Sequence, residues 1–258
     1  MKVGWICSCI VAVCAASLAH GGEPAALRTS TQILVVTTQD WNGVDGTLQA
    51  YERPQAHKRW KAVGGSIPVV VGKNGLGWGA GVAAETGRRA ASDPVKKEGD
   101  GKSPAGIFRL STAFGYAGQE PAGWKMPYLG ITPSVECVDD VRSKFYNRVL
   151  DRATVAPDWS SSEQMLRDDG EYRWGLVVDH NAEPITPGGG SCIFLHIWLG
   201  TGVGTTGCTA MAQEQLEALL GRLDPARKPL LVQLPRPQYK KLRRHWKLPA
   251  LPRMEEPK

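Results

Sequence analysis

Residues 191–208 read Ser191-Cys192-Ile193-Phe194-Leu195-His196-Ile197-Trp198-Leu199-Gly200-Thr201-Gly202-Val203-Gly204-Thr205-Thr206-Gly207-Cys208. The first nine are the strongest strand signal in the chain. Side chains alternate across a sheet, so Ile193, Leu195, Ile197 and Leu199 share one face and are expected in a core. Cys192, Phe194, His196 and Trp198 share the other face, which places His196 on the wall of a pocket or a second core. The loop that follows carries Gly200, Gly202, Gly204 and Gly207 and is able to fold back, returning Cys208 to the strand's end. Leu216, Leu219, Leu220 and Leu223 recur at helical spacing, so a helix is expected over Thr209–Leu223, with Cys208 at its mouth. A thiol there would feel the positive end of the helix dipole, which favours thiolate. A nearby imidazole that takes the thiol proton completes the arrangement for nucleophilic acyl transfer. The backbone N–H groups of Gly207 and Cys208 are candidate oxyanion donors.

Working outward, short β patterns recur at Gln32–Thr37, Thr47–Arg53, Ile67–Gly72, Ala105–Leu110, Trp174–Val178 and Pro229–Leu234. Gly and Pro make up about a fifth of the 258 residues, against roughly 12% in average chains, which favours many short strands over a helical bundle. The expected fold is mainly β: a single sandwich or barrel domain over residues 30–237, with a helix after Cys208. Residues 20–31 read as a polar leader and 238–258 as a basic, Pro-rich tail. The net charge of +6 is too small for a nucleic-acid address. Its excess at Lys240, Lys241, Arg243, Arg244 and Lys247 suits a solvated tail or contact with an anionic envelope polymer.

Lys2, the apolar stretch Val3–Leu18 and the cleavage pattern Ser17-Leu18-Ala19 read as an export signal over residues 1–19, sending the protein to the periplasm or cell envelope. The mature chain would keep Cys137, Cys192 and Cys208. An odd number in an oxidising compartment leaves at least one thiol unpaired within the chain. A Cys137–Cys192 bridge would leave Cys208 free; a bridge through Cys208 would make it structural.

His196 followed by Thr205-Thr206-Gly207-Cys208-Thr209 resembles the His…[Ser/Thr]-x-Gly-Cys signature of the L,D-transpeptidase (YkuD-type) catalytic domain. Three more segments are similar to an exported branch of that family: Glu98-Gly99-Asp100-Gly101-Lys102-Ser103-Pro104-Ala105-Gly106-Ile107-Phe108, Cys137-Val138-Asp139-Asp140 with Tyr146-Asn147, and Gly190-Ser191-Cys192-Ile193-Phe194-Leu195-His196, which leads into the signature. The resemblance spans about residues 65–235. It implies that Cys208 is the nucleophile and His196 the proton acceptor and donor. The substrate implied is a peptidoglycan stem peptide, cut with release of D-alanine and joined to an acceptor amine, in cell-wall biogenesis. No metal or organic cofactor is implied. Gly207, Thr205, Thr206, His180 and Asn181 are the candidate oxyanion and substrate contacts. Two departures bear on the acceptor side: Ala210 stands where many relatives have arginine, and the His-to-Cys interval is shorter than in many relatives.

Rival readings remain. An L,D-carboxypeptidase or amidase would use the same pair on water. A wall-binding module would hold Cys208 in a disulfide. His180 is the rival base, and no acidic partner for His196 is evident. Gly101-Lys102-Ser103 lacks the spacing of a phosphate loop, and the mature chain has no zinc-ligand motif.

Overall fold

A computed structural model describes residues 22–82 and 89–252. The signal segment 1–19 and residues 253–258 lie outside the described residues.

The main strands are β1 (Gln32–Thr38), β2 (Asp45–Glu52), β3 (Lys61–Val70), β4 (Leu76–Trp78), β5 (Ser103–Gly115) and β6 (Tyr128–Gly130). A small sheet is built from β7 (Val135–Val138), β8 (Val149–Asp151) and β9 (Ser162–Gln164). Then come β10 (Trp174–Val178), β11 (Phe194–Ile197), β12 (Thr209–Met211) and β13 (Leu230–Pro235). The helices are α1 (Ala25–Thr29), α2 (Gln213–Leu220) and α3 (Arg236–Arg243).

Pairing runs β10-β11-β12-β3-β2-β1-β13-β5, and β5 pairs again with β10, so the main sheet closes on itself. Closure leaves none of these strands as a free edge. The parallel pair β1 and β13 is buried along its full length, which suits the continuous apolar runs Ile33–Val36 and Leu230–Val232. The chain is mainly β, as its Gly/Pro-rich short strands imply.

A second, smaller core joins the three-stranded sheet to the barrel. It contains Phe114, Cys137, Met165, Tyr172, Phe194 and Cys208. Cys137 on β7 is bonded to Cys192 just before β11, across 55 residues of sequence. Among the described residues Cys208 is the free thiol, and it is buried. Closing a loop of that length restricts the unfolded chain by about 4 kcal/mol in the loop-entropy account. Cys137→Ala or Cys192→Ala is therefore expected to lower the melting temperature by about 10 °C. Calorimetry of the oxidised protein checks this; an unchanged midpoint would show that the bridge braces nothing.

The structure departs from the sequence reading in four places. The strand expected over 191–199 is ordered as β11 only from Phe194 to Ile197, and Leu199 is 64% exposed rather than core. The helix starts at Gln213, not Thr209, because Thr209–Met211 is drawn into the sheet between β11 and β3. The leader contains α1, whose Leu27 is buried and whose carbonyl accepts from Arg53. The segment read as a tail includes α3, and Tyr239, Leu242, Trp246 and Leu248 pack into the main core. Their apolar positions sit among so many basic residues that composition masked them.

Candidate active site

β11 and β12 run parallel, with Leu195 opposite Thr209 and His196 opposite Ala210. Cys208 therefore stands level with Phe194, and His196 lies one step diagonally along the same face. Such diagonal neighbours are about 7–8 Å apart at Cα, within reach of an imidazole and a thiol. The ring of Tyr172 packs edge-on against both Phe194 and His196, with centroids 5.5 and 5.2 Å apart. Its hydroxyl lies close enough to Cys208 to act on the thiol electrostatically.

The glycine loop makes the return. Lys73 N–H donates to the Thr205 carbonyl at 2.7 Å, and Thr205 N–H donates to Val71 at 3.0 Å, so the loop is laced to the end of β3. Gly204 has to be glycine for this approach, since a Cβ would stand 2.6 Å from Lys73 Cα. The Cys208 carbonyl then accepts from two hydroxyls, Thr205 Oγ1 at 2.6 Å and Ser103 Oγ at 2.7 Å. These contacts hold the backbone that carries the thiol.

Sγ of Cys208 accepts from the Phe194 N–H at 3.3 Å and donates to the Cys192 carbonyl at 3.4 Å. Burial pushes the thiol far above its usual range, and Glu163 adds to the rise. The Phe194 N–H, the Lys96 ammonium and the Tyr172 hydroxyl oppose it. Burial lowers His196 to about 4, with Nδ1 held at 2.8 Å from the Ile197 carbonyl. That bond assigns the Nδ1 proton and leaves Nε2 as the acceptor. The resting pair is thus a neutral thiol beside a neutral imidazole. The thiolate expected from a helix N-terminus is not supported, since α2 begins five residues after the cysteine and its dipole does not act on Sγ.

The remaining sequence candidates fall into two groups. Gly207 is buried, but its N–H donates to Thr205 Oγ1 at 3.1 Å, so it braces the loop rather than standing free as an oxyanion donor. Thr205 is structural in the same turn, and Thr206 is exposed. His180 and Asn181 are buried and engaged with their own loop. His180 Nε2 lies 2.9 Å from the Gly189 carbonyl and the ring meets Phe108 edge-on. Asn181 bonds Thr186 and Gly190. Burial lowers His180 to about 4 as well, but its ring faces the Gly189–Gly190 turn.

Several residues of the site were not singled out from sequence. Tyr172 donates to Glu163 of β9 and carries the Arg167 guanidinium 5.1 Å from its ring. Lys96 is buried, paired with Asp100 at 2.6 Å, and lies 3.7 Å from where a Gly207 side chain would begin. Glu98 accepts from Tyr146 and Ser191, and Asn147 ties Cys192 N–H to the carbonyls of His180 and Asn181. Glu98, Asp100, Ser103, Tyr146 and Asn147 all lie in the flanking segments of the resemblance, which was the one signal pointing to them. Tyr172 and Glu163 had no such signal.

A family model of the L,D-transpeptidase catalytic domain, YkuD, matches residues 42–232, which hold every residue of this site. The chain belongs to that family. No curated protein and no solved structure matches it. The L,D-transpeptidase family assignment accounts for the closed β architecture.

Proposed function

We propose that the protein is an exported cysteine acyltransferase acting on peptidoglycan stem peptides. The observation that carries this reading is the free Cys208 beside His196 in a family of L,D-transpeptidase domains. His196 Nε2 takes the thiol proton as Sγ bonds to the carbonyl carbon of the donor peptide. The tetrahedral adduct collapses as the same nitrogen hands its proton to the leaving D-residue amine, and a Cys208 thioester remains. An acceptor amine then attacks the thioester, passes a proton to His196, and the sulfur leaves as thiol with that proton. Each step needs only acid–base transfer and an acyl carbon.

Starting from a neutral pair suits this cycle. The base is unprotonated at neutral pH, and charge develops only as the bond forms. Cys208 is 5% exposed and His196 3%, so both groups are withdrawn from bulk water in the resting protein. Tyr172, which donates to Glu163, packs in the same apolar cluster as Cys208. The Cys137–Cys192 bridge leaves Cys208 a free thiol, which favours an enzyme over a wall-binding module that would hold Cys208 in a disulfide.

The test is product analysis by mass spectrometry after incubation with a stem tetrapeptide, with and without an acceptor stem amine. The expected product is the crosslinked peptide with one D-alanine released. A shortened, uncrosslinked tripeptide as sole product would replace transfer by L,D-carboxypeptidase activity. Unchanged peptide would overturn both.

A further inference from the structure

At the other end of the β2–β3 hairpin from the active site lies an open cleft of about 640 Å³. The site is anchored where β3 ends at Val70, opposite Asp45; the cleft gathers where β2 ends at Glu52, opposite Lys61. The length of β2 separates the two by about 25 Å.

Three separate segments, α1, the β2–β3 connection and α3 with its continuation, turn cationic side chains towards this cleft. Arg28 comes from α1, Arg53 follows β2, Lys58 and Arg59 sit in the turn before β3, and Arg243 and Lys247 come from α3 and its continuation. Among the described residues Glu23 is the one carboxylate on the wall, and it is 3.0 Å from Lys247. Arg28, Lys58 and Arg59 are exposed and make no ion pair among the described residues. Arg53 is held as part of the wall: its guanidinium lies 4.0 Å from the Trp60 ring centroid and its Nε donates to the Ser30 carbonyl at 2.9 Å. Arg243 Nε donates to the Pro249 carbonyl at 3.0 Å, fixing a second guanidinium at the rim.

Converging like charges repel, and a concave surface concentrates their field. Backbone carbonyls and the Trp60 ring hold Arg53 and Arg243 in place, and Glu23, paired with Lys247, offsets only part of the positive charge. Guanidinium forks match phosphate oxygens, and several cations spread over one groove match several phosphates in a row.

We infer that this cleft binds a soluble polymer carrying repeated phosphate groups, and so docks the enzyme on a phosphate-bearing polyanion. A groove walled by charge on several sides receives a chain better than it meets a flat bilayer. Its distance from Cys208 makes the docking independent of catalysis.

The test uses the full mature chain and fluorescently labelled inorganic polyphosphate, read by anisotropy. Binding is expected to weaken at least about tenfold between roughly 50 and 200 mM salt, as released counter-ions require. The triple variant Arg28→Gln, Lys58→Gln, Arg59→Gln is expected to bind at least tenfold more weakly at unchanged melting temperature. Arg148→Gln, Arg173→Gln, Arg222→Gln removes the same charge elsewhere and is expected to bind as wild type, as is Cys208→Ala. No binding, or equal loss in both triple variants, overturns the assignment. So does capture by phosphatidylglycerol vesicles without binding of polyphosphate, which would make the cleft a lipid-headgroup site instead.

Discussion

Cys208→Ala is expected to abolish acyl-enzyme formation. Wild-type protein exposed to a carbapenem, a strained acyl donor, should gain the mass of one drug molecule, and the variant none. Turnover of stem peptide should fall by at least about 10⁴-fold, because no other group can hold the acyl carbon once sulfur is gone. Cys192 and Cys137 are consumed in their bridge, so neither can substitute. The fold should persist: one sulfur leaves a small core, and a single substitution of this kind costs about 1 kcal/mol. A mass adduct retained in a folded Cys208→Ala protein would place the nucleophile elsewhere.

His196→Ala is expected to slow acylation by about 10²–10⁴-fold, the usual worth of a positioned general base. The loss is kinetic, since the thiol remains in place, and added imidazole should recover part of it. The pH profile of the wild type separates this base from an ion-pair mechanism. With His196 lowered to about 4, kcat/KM should rise as pH increases through about 4 and stay level across neutrality. With the thiol pushed up by burial, alkylation by iodoacetamide should be slow at pH 7 and accelerate continuously above pH 9. A thiolate–imidazolium pair would instead alkylate fast at pH 6. The sign for stability follows from the same shift. Protonating His196 is harder folded than unfolded, so its contribution is whole above pH 6.5 and is lost as pH falls towards 4. An activity limb near pH 6.5 would show that the imidazole is solvated and would remove it from the buried site.

Much of the site was legible because its parts are close in sequence. His196, the glycine loop and Cys208 sit within one strand–loop–strand unit, and period-two alternation alone puts His196 on the face away from Ile193 and Leu195. The odd cysteine count narrowed the thiol question to two answers, and the observed bridge selects one. The boundary after Cys208 was misread for a local reason. Three residues, Thr209–Met211, carry no pattern that distinguishes a short strand from the first turn of a helix, and the leucine spacing downstream pulled the start forward. His180 and Asn181 looked available as polar residues after a strand; their turn down to Gly190 folds over them and takes up their polar atoms, apart from His180 Nδ1.

By itself the sequence determined a mainly β domain and its family, and it pointed to Cys208 and His196 as the candidate nucleophile and base. These rest on short-range patterns that the chain writes in order. Only the tertiary structure decided the protonation state of the pair and its neighbours. Burial sets both pKa shifts, and burial comes from the small sheet β7–β9 and Tyr172 closing over the barrel from elsewhere in the chain. The basic cleft is of the same kind: Arg28, Arg59 and Arg243 are far apart in sequence and become one surface only where α1, the β2–β3 turn and α3 meet.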